Sequence, residues 1–193
     1  MLATVEINLL EEECLRIMAF ASGLSNDETY ACMLSSWQSG EGVLPLDFGL
    51  AKDELNQLLM THFPGLAETM PAVSVQDYDR QRDDEREDVL QLLLSYRTAQ
   101  PVAEFESATW MANIVAMACQ GQDHLWQDLG LWSRDQLSQL MEHNFPALAA
   151  KNVKNMKWKK FIYKQLCITE GIYTCRAPSC EVCADYADCF SGD

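Results

Sequence analysis

Three short runs occur twice, in the same order, along this 193-residue chain, and the recurrence limits its fold more than any other feature. Leu44-Pro-Leu-Asp47-Phe-Gly49-Leu50 is echoed by Leu125-Trp-Gln-Asp128-Leu-Gly130-Leu131. Asp53-Glu-Leu55-Asn-Gln57-Leu58 is echoed by Asp135-Gln-Leu137-Ser-Gln139-Leu140, and Phe63-Pro64-Gly-Leu66-Ala67 by Phe145-Pro146-Ala-Leu148-Ala149. The offset is 81 residues in the first run and 82 in the other two, so one residue is inserted between Leu131 and Asp135. Such a period marks two related supersecondary units, here about 25–67 and 107–149. A unit of that size buries too little surface to be stable alone, so the two must share a core.

The periodicity is helical throughout. Helices are predicted over 9–20, 27–37 with Ser25 or Asn26 as cap, 52–62, 77–97, 105–119, a segment opened by Ser133 and Gln136 as a capping box and closed before Pro146, and 153–168. Residues 68–76 hold Pro71 and no clear period, and read as a linker. No segment alternates with β-branched residues, so no strand is predicted. The expected class is all-α: a helical body over 1–170, built on the two helix–loop–helix units, followed by a short irregular cysteine-rich loop over 171–193.

Net charge is −15, unevenly spread. Residues 1–150 carry −17, whereas 151–170 hold six lysines against Glu170 alone. The acidic body disfavours nucleic acid and anionic lipid. No apolar run approaches the roughly 18 residues a membrane span needs, and the acidic start does not read as a secretory signal. The expected compartment is the cytoplasm, where thiols stay reduced and cysteines serve metal binding or burial.

Four of the eight cysteines fall together as Cys175-x4-Cys180-x2-Cys183-x5-Cys189. The first three share the spacing of plant-type ferredoxins, whose thiolates wrap one iron–sulfur cluster. Such a cluster needs soft, deprotonated sulfur, and it is wide enough that a single loop must spread its ligands and turn sharply. Pro178 and Ser179 favour that turn. Structural zinc is the nearest rival, but zinc sites usually pair two C-x2-C knuckles, and only Cys180 and Cys183 form one. Cys14, Cys32, Cys119 and Cys167 are scattered and read first as core residues, with Cys119 and Cys167 as secondary ligand candidates.

With these residues in view, the chain resembles the NifQ family, the molybdenum-processing proteins of nitrogen fixation. The likeness rests on His124 to Leu131, Ser133-Arg134, Asn144-Phe-Pro146, Met156-Lys-Trp158-Lys-Lys-Phe161-Ile-Tyr163 and Cys175 to Phe190. It is strong over 108–190 and weak before; Ser191 stands where glycine is expected. The resemblance implies an iron–sulfur cluster able to carry molybdenum, and a role as molybdenum donor for the iron–molybdenum cofactor of nitrogenase. It further implies the cofactor assembly scaffold and the nitrogenase iron protein as partners. On that view Cys175, Cys180, Cys183 and Cys189 hold a molybdenum–iron–sulfur cluster, loaded from molybdate.

Accessory roles are open to several residues. His124 reads either as a labile molybdenum ligand or as a helix-start residue bonded to backbone; His62 and His143 read as structural. Lys157, Lys160 and Lys164 share one face of a helix, either as a solvated basic face or to attract molybdate and offset an anionic cluster, with Arg134 and Arg176 able to join them. Trp126, Trp132 and Trp158 read as core or interface residues. The sequence displays no nucleotide-binding glycine loop, Ser–His–Asp arrangement or H-E-x-x-H motif, so a carrier is expected, not an enzyme. The alternatives are an iron–sulfur electron carrier, which would hold iron without molybdenum, and a structural zinc module.

Overall fold

The computed structural model describes residues 2–45, 47–66, 83–98 and 102–170. Among these the chain is helical without strands: α1 (Leu2–Met18), α2 (Asp27–Gln38), α3 (Lys52–His62), α4 (Asp83–Ser95), α5 (Val102–Ala118), α6 (Leu125–Asp128), α7 (Arg134–Asn144), α8 (Pro146–Ala149) and α9 (Trp158–Glu170). None of these helices is long and apolar enough to cross a membrane.

The repeated runs occupy matching places. Helices α3 and α7 are both 11 residues long and begin and end 82 residues apart. Leu55, Leu58 and Leu59 bury the inner face of α3, as Leu137, Leu140 and Met141 bury that of α7. Both helices end on a phenylalanine with φ near −135°, Phe63 at −137° and Phe145 at −133°, and both rings are fully buried. α5, apolar nearly all round, runs through the middle; Met111, Ala112, Ile114, Val115 and Ala118 are at most 1% exposed.

The contacts between the units are reciprocal. Gly49 of the first, at φ +74°, lies against Met117 of α5, so that a Cβ there would meet the Met117 Cβ at 3.1 Å. Gly130 of the second, at φ +70°, lies against Ser36 of α2, with the Ser36 Cβ 2.9 Å from where its own Cβ would stand. Ser36 and Met117 are 81 residues apart, as are the two glycines. Contacts that exchange in this way are those of an approximate two-fold arrangement. Only glycine permits both the left-handed backbone and the close approach.

Several boundaries differ from the sequence expectation, most of all at α1 and α9; α4 ends at Ser95 and α5 begins at Val102. α1 starts at Leu2, not Leu9, and ends at Met18. α9 starts at Trp158, not Val153. Residues 151–157 instead form a loop in which Asn155 takes φ +50°, Met156 N–H donates to Asn152 Oδ1 at 2.8 Å, and Arg134 donates to the Asn155 carbonyl at 2.8 Å. Short α6 was not foreseen, because four residues carry no readable period. The linker 68–76, residues 77–82 of the expected charged helix and the tail 171–193 lie outside the described residues.

Candidate metal centre

The cluster ligands proposed from sequence, Cys175, Cys180, Cys183 and Cys189, and Arg176 beside them, lie outside the described residues. Among the described residues, no group of three or more His, Cys, Asp or Glu side chains is placed to hold a metal ion. The scattered thiols are packed as expected: Cys14, Cys32 and Cys119 are buried, and Cys167 is half-buried near the end of α9. Burial pushes the Cys32 thiol up to about 12, which keeps it protonated near pH 7.

His124 is exposed at the start of α6, where its backbone N–H donates to Gln127 Oε1 at 3.3 Å. Arg134 is engaged with the 152–157 loop. Lys157 is exposed at the entry to α9, its carbonyl accepting from the Phe161 N–H at 2.9 Å, and Lys160 and Lys164 are half-buried within the helix. Trp158, Phe161 and Ile162 are buried, as their spacing predicted.

The residue that ties this region together is Lys159, which sequence reasoning did not separate from its five neighbouring lysines. It is 8% exposed. Its ammonium donates to the Gly121 carbonyl at 3.0 Å, to the Asp123 carbonyl at 2.9 Å and to the Asp128 carboxylate, satisfying all three N–H groups. Lys159 thereby fastens the start of α9 to the turn that precedes His124. Asp128 is 1% exposed, and its other oxygen, Oδ1, has no hydrogen-bond partner among the described residues. Gly121 is required beside it, since a Cβ there would stand 2.4 Å from the Asp128 Cγ.

A second buried polar group lies where the two units meet. His62 Nδ1 is 2.6 Å from Asp27 Oδ1, and His62 Nε2 is 3.0 Å from Ser107 Oγ. The Asn26 amide donates to Ser107 Oγ and to Asn144 Oδ1, both at 2.8 Å, and Asn144 returns a bond to Asn26 Oδ1 at 3.0 Å. Asn26 and Ser107 are repeat equivalents, as are His62 and Asn144, so the Asn26–Asn144 and Ser107–His62 bonds are counterparts. Asp27 also accepts the Gly23 and Leu24 N–H groups, which fixes its carboxylate as acceptor and places the His62 proton on Nδ1. This corrects the expectation that no Ser–His–Asp arrangement is present: the order Asp27–His62–Ser107 has the spacing of a hydrolytic triad. All three are at most 2% exposed, however, and Ser107 Oγ already accepts from Asn26, so the hydroxyl is enclosed among its polar partners. Desolvation holds the His62 imidazole below its ordinary value, and it is neutral near pH 7. The arrangement serves to join the units.

The NifQ family model matches residues 29–191. Over 171 residues the chain is 45% identical to "Protein NifQ" of Azotobacter vinelandii, covering 83% of this chain and 86% of that one. It is 36% identical over 165 residues to "Protein NifQ homolog" of Sinorhizobium fredii, covering 83% and 70%, and 36% identical over 157 residues to "Protein NifQ" of Rhodobacter capsulatus, covering 80% and 82%. No solved structure matches the chain. With a match over most of its length, the chain belongs to the NifQ family.

Proposed function

We propose that this protein carries an iron–sulfur cluster on Cys175, Cys180, Cys183 and Cys189, takes molybdenum into it, and donates that molybdenum to biosynthesis of the nitrogenase iron–molybdenum cofactor. The observation that carries this reading is the extent of the family match, which runs to residue 191 and so takes in all four cysteines. The donor set fits the cargo. Four thiolates are soft enough for iron and molybdenum, and three would serve the irons of a cube while the fourth faces molybdenum. When bound, the cluster supplies sulfide-bridged sites in which molybdenum can be held reversibly.

The protein's own part is to present and release. A donor has to let a partner reach the cluster and strip it. α9, the helix that precedes the cysteines in sequence, is fixed by Lys159 at its first turn and by Tyr163 bonded to Glu85 of α4. The six lysines of 151–164 set positive charge on the sequence leading to an anionic cluster. In this reading the chain acts as a cytoplasmic carrier, not a catalyst, and its partners are the cofactor assembly scaffold and the nitrogenase iron protein.

The test is metal content after anaerobic purification with iron, sulfide and molybdate. Cys180→Ala and Cys183→Ala are each expected to lose the iron and the visible absorption while keeping the parent's helical circular dichroism. Full iron retention in either variant would overturn the ligand assignment. Iron without molybdenum under these conditions would favour an electron carrier.

A further inference from the structure

We propose that a cleft between α1, the 41–43 loop and α6 is a docking site for a lysine- or arginine-bearing amphipathic segment of a partner protein. The cleft has a volume of about 620 Å³, within the range that takes side chains or a small ligand. Its apolar surface comes from Leu10, Trp126, Leu131 and Trp132. The exposed carboxylates Glu11, Glu41 and Asp123 also line it, and none of the described residues lining it is a lysine or arginine. Aromatic faces beside exposed carboxylates suit a cation carried on an apolar stem, which gains from both the ring and the charge.

The internal repeat shows that the tryptophans are additions to the shared fold. Trp126 corresponds to Pro45 in the first unit. Trp132 lies where the second unit carries its inserted residue: Trp132 and Ser133 together stand where the first unit has Ala51 alone. The first unit forms α3 without either ring, so the fold does not demand them. Trp132 remains 36% exposed, and Val43 beside it is 45% exposed. Trp132 thus stands at the junction of the two units, as expected of a core or interface residue, with part of its ring left open.

The walls are held in place before any partner arrives. Trp132 Nε1–H donates to Ser36 Oγ at 3.1 Å, the Val43 N–H donates to the Asp128 carbonyl at 3.0 Å, and the Glu41 N–H donates to the Ser36 carbonyl at 2.9 Å. A rigid aromatic surface of this kind loses little entropy when it is covered. The inference is independent of what the cysteines hold.

The probe is a capped synthetic peptide of about 14 residues with leucine and lysine at helical spacing, and the readout is tryptophan emission with calorimetric titration. Three variants are compared with the parent: Trp132→Ala; a groove reversal, Glu11→Lys with Glu41→Lys and Asp123→Lys; and a charge-matched reversal on exposed α4, Asp84→Lys with Glu87→Lys and Asp88→Lys. Circular dichroism checks that each is folded. The expected result is saturable binding to the parent, weakened at least about tenfold by Trp132→Ala and by the groove reversal, and little changed by the α4 reversal. Equal weakening by both reversals would reduce the binding to net charge and overturn the proposal. Failure of the parent to bind would overturn it too, as would self-association of the parent that the groove reversal abolishes, which would make a second copy the occupant.

Discussion

Replacing Lys159 with methionine removes the cation that, among the described residues, pairs with Asp128 in the interior. Methionine preserves most of the apolar stem, so the loss is chiefly electrostatic. It leaves a carboxylate 1% exposed with neither oxygen paired to a cation, and it frees the Gly121 and Asp123 carbonyls. Breaking one side of a buried ion pair costs about 3–5 kcal/mol. For a chain of this size each kcal/mol moves the melting temperature by about 2–4 °C, so Lys159→Met should melt about 6–20 °C below the parent. Asp128→Asn should cost less, because the ammonium keeps two carbonyl acceptors. The double variant should be more stable than the sum of the single losses allows, with a coupling of about 2 kcal/mol. Thermal and urea denaturation followed by circular dichroism provide the measurement. A Lys159→Met protein melting within about 2 °C of the parent, or strictly additive losses, would refute the assignment of Lys159 as the clamp on the His124 turn.

Further outcomes follow from the same contacts. His62 is held neutral when folded, whereas in the unfolded chain it takes up a proton near 6.5; its contribution is therefore complete above about pH 6.5 and is lost as pH falls from there toward the depressed folded value. Melting temperature measured across that window should decline, and His62→Asn, which installs the residue of the equivalent position 144, should flatten the decline. Phe63→Ala and Phe145→Ala should each cost about 3–5 kcal/mol in urea denaturation, by similar amounts, because both rings fill repeat-related places in the core. Gly130→Ala should cost about 1–3 kcal/mol, since it sets a side chain at φ +70° against Ser36.

Much of the helical body was legible in the sequence. The bounds of α2, α3 and α7 follow from caps, apolar spacing and the two Phe-Pro stops, and the repeat identified Phe63 with Phe145 and Gly49 with Gly130. The capping box at α7 formed in modified register: Ser133 Oγ accepts from Gln136 N–H at 3.2 Å, but Gln136 Oε1 accepts from Trp132 N–H at 2.8 Å. The start of α9 was misread because its lysines fit a helical period, while the asparagines that compete for the backbone at 152 and 155 carried the decisive signal. Burial of Lys159 was beyond sequence reasoning, since it depends on acceptors 31 to 38 residues away. The Asp27–His62–Ser107 chain was hidden for the same reason, its members being 35 and 45 residues apart. One clue did exist: Asn26 and His62 align with Ser107 and Asn144 in the repeat, so polar residues recur at both positions.

The proposed carriage of cargo is tested most directly by elemental analysis, with an absorption spectrum, of the full chain prepared without oxygen in the presence of iron, sulfide and molybdate. The account predicts coloured protein holding iron and sulfide with molybdenum, all three lost together when Cys180 or Cys183 is replaced. Colourless material bearing a single zinc ion, or no metal, would contradict it.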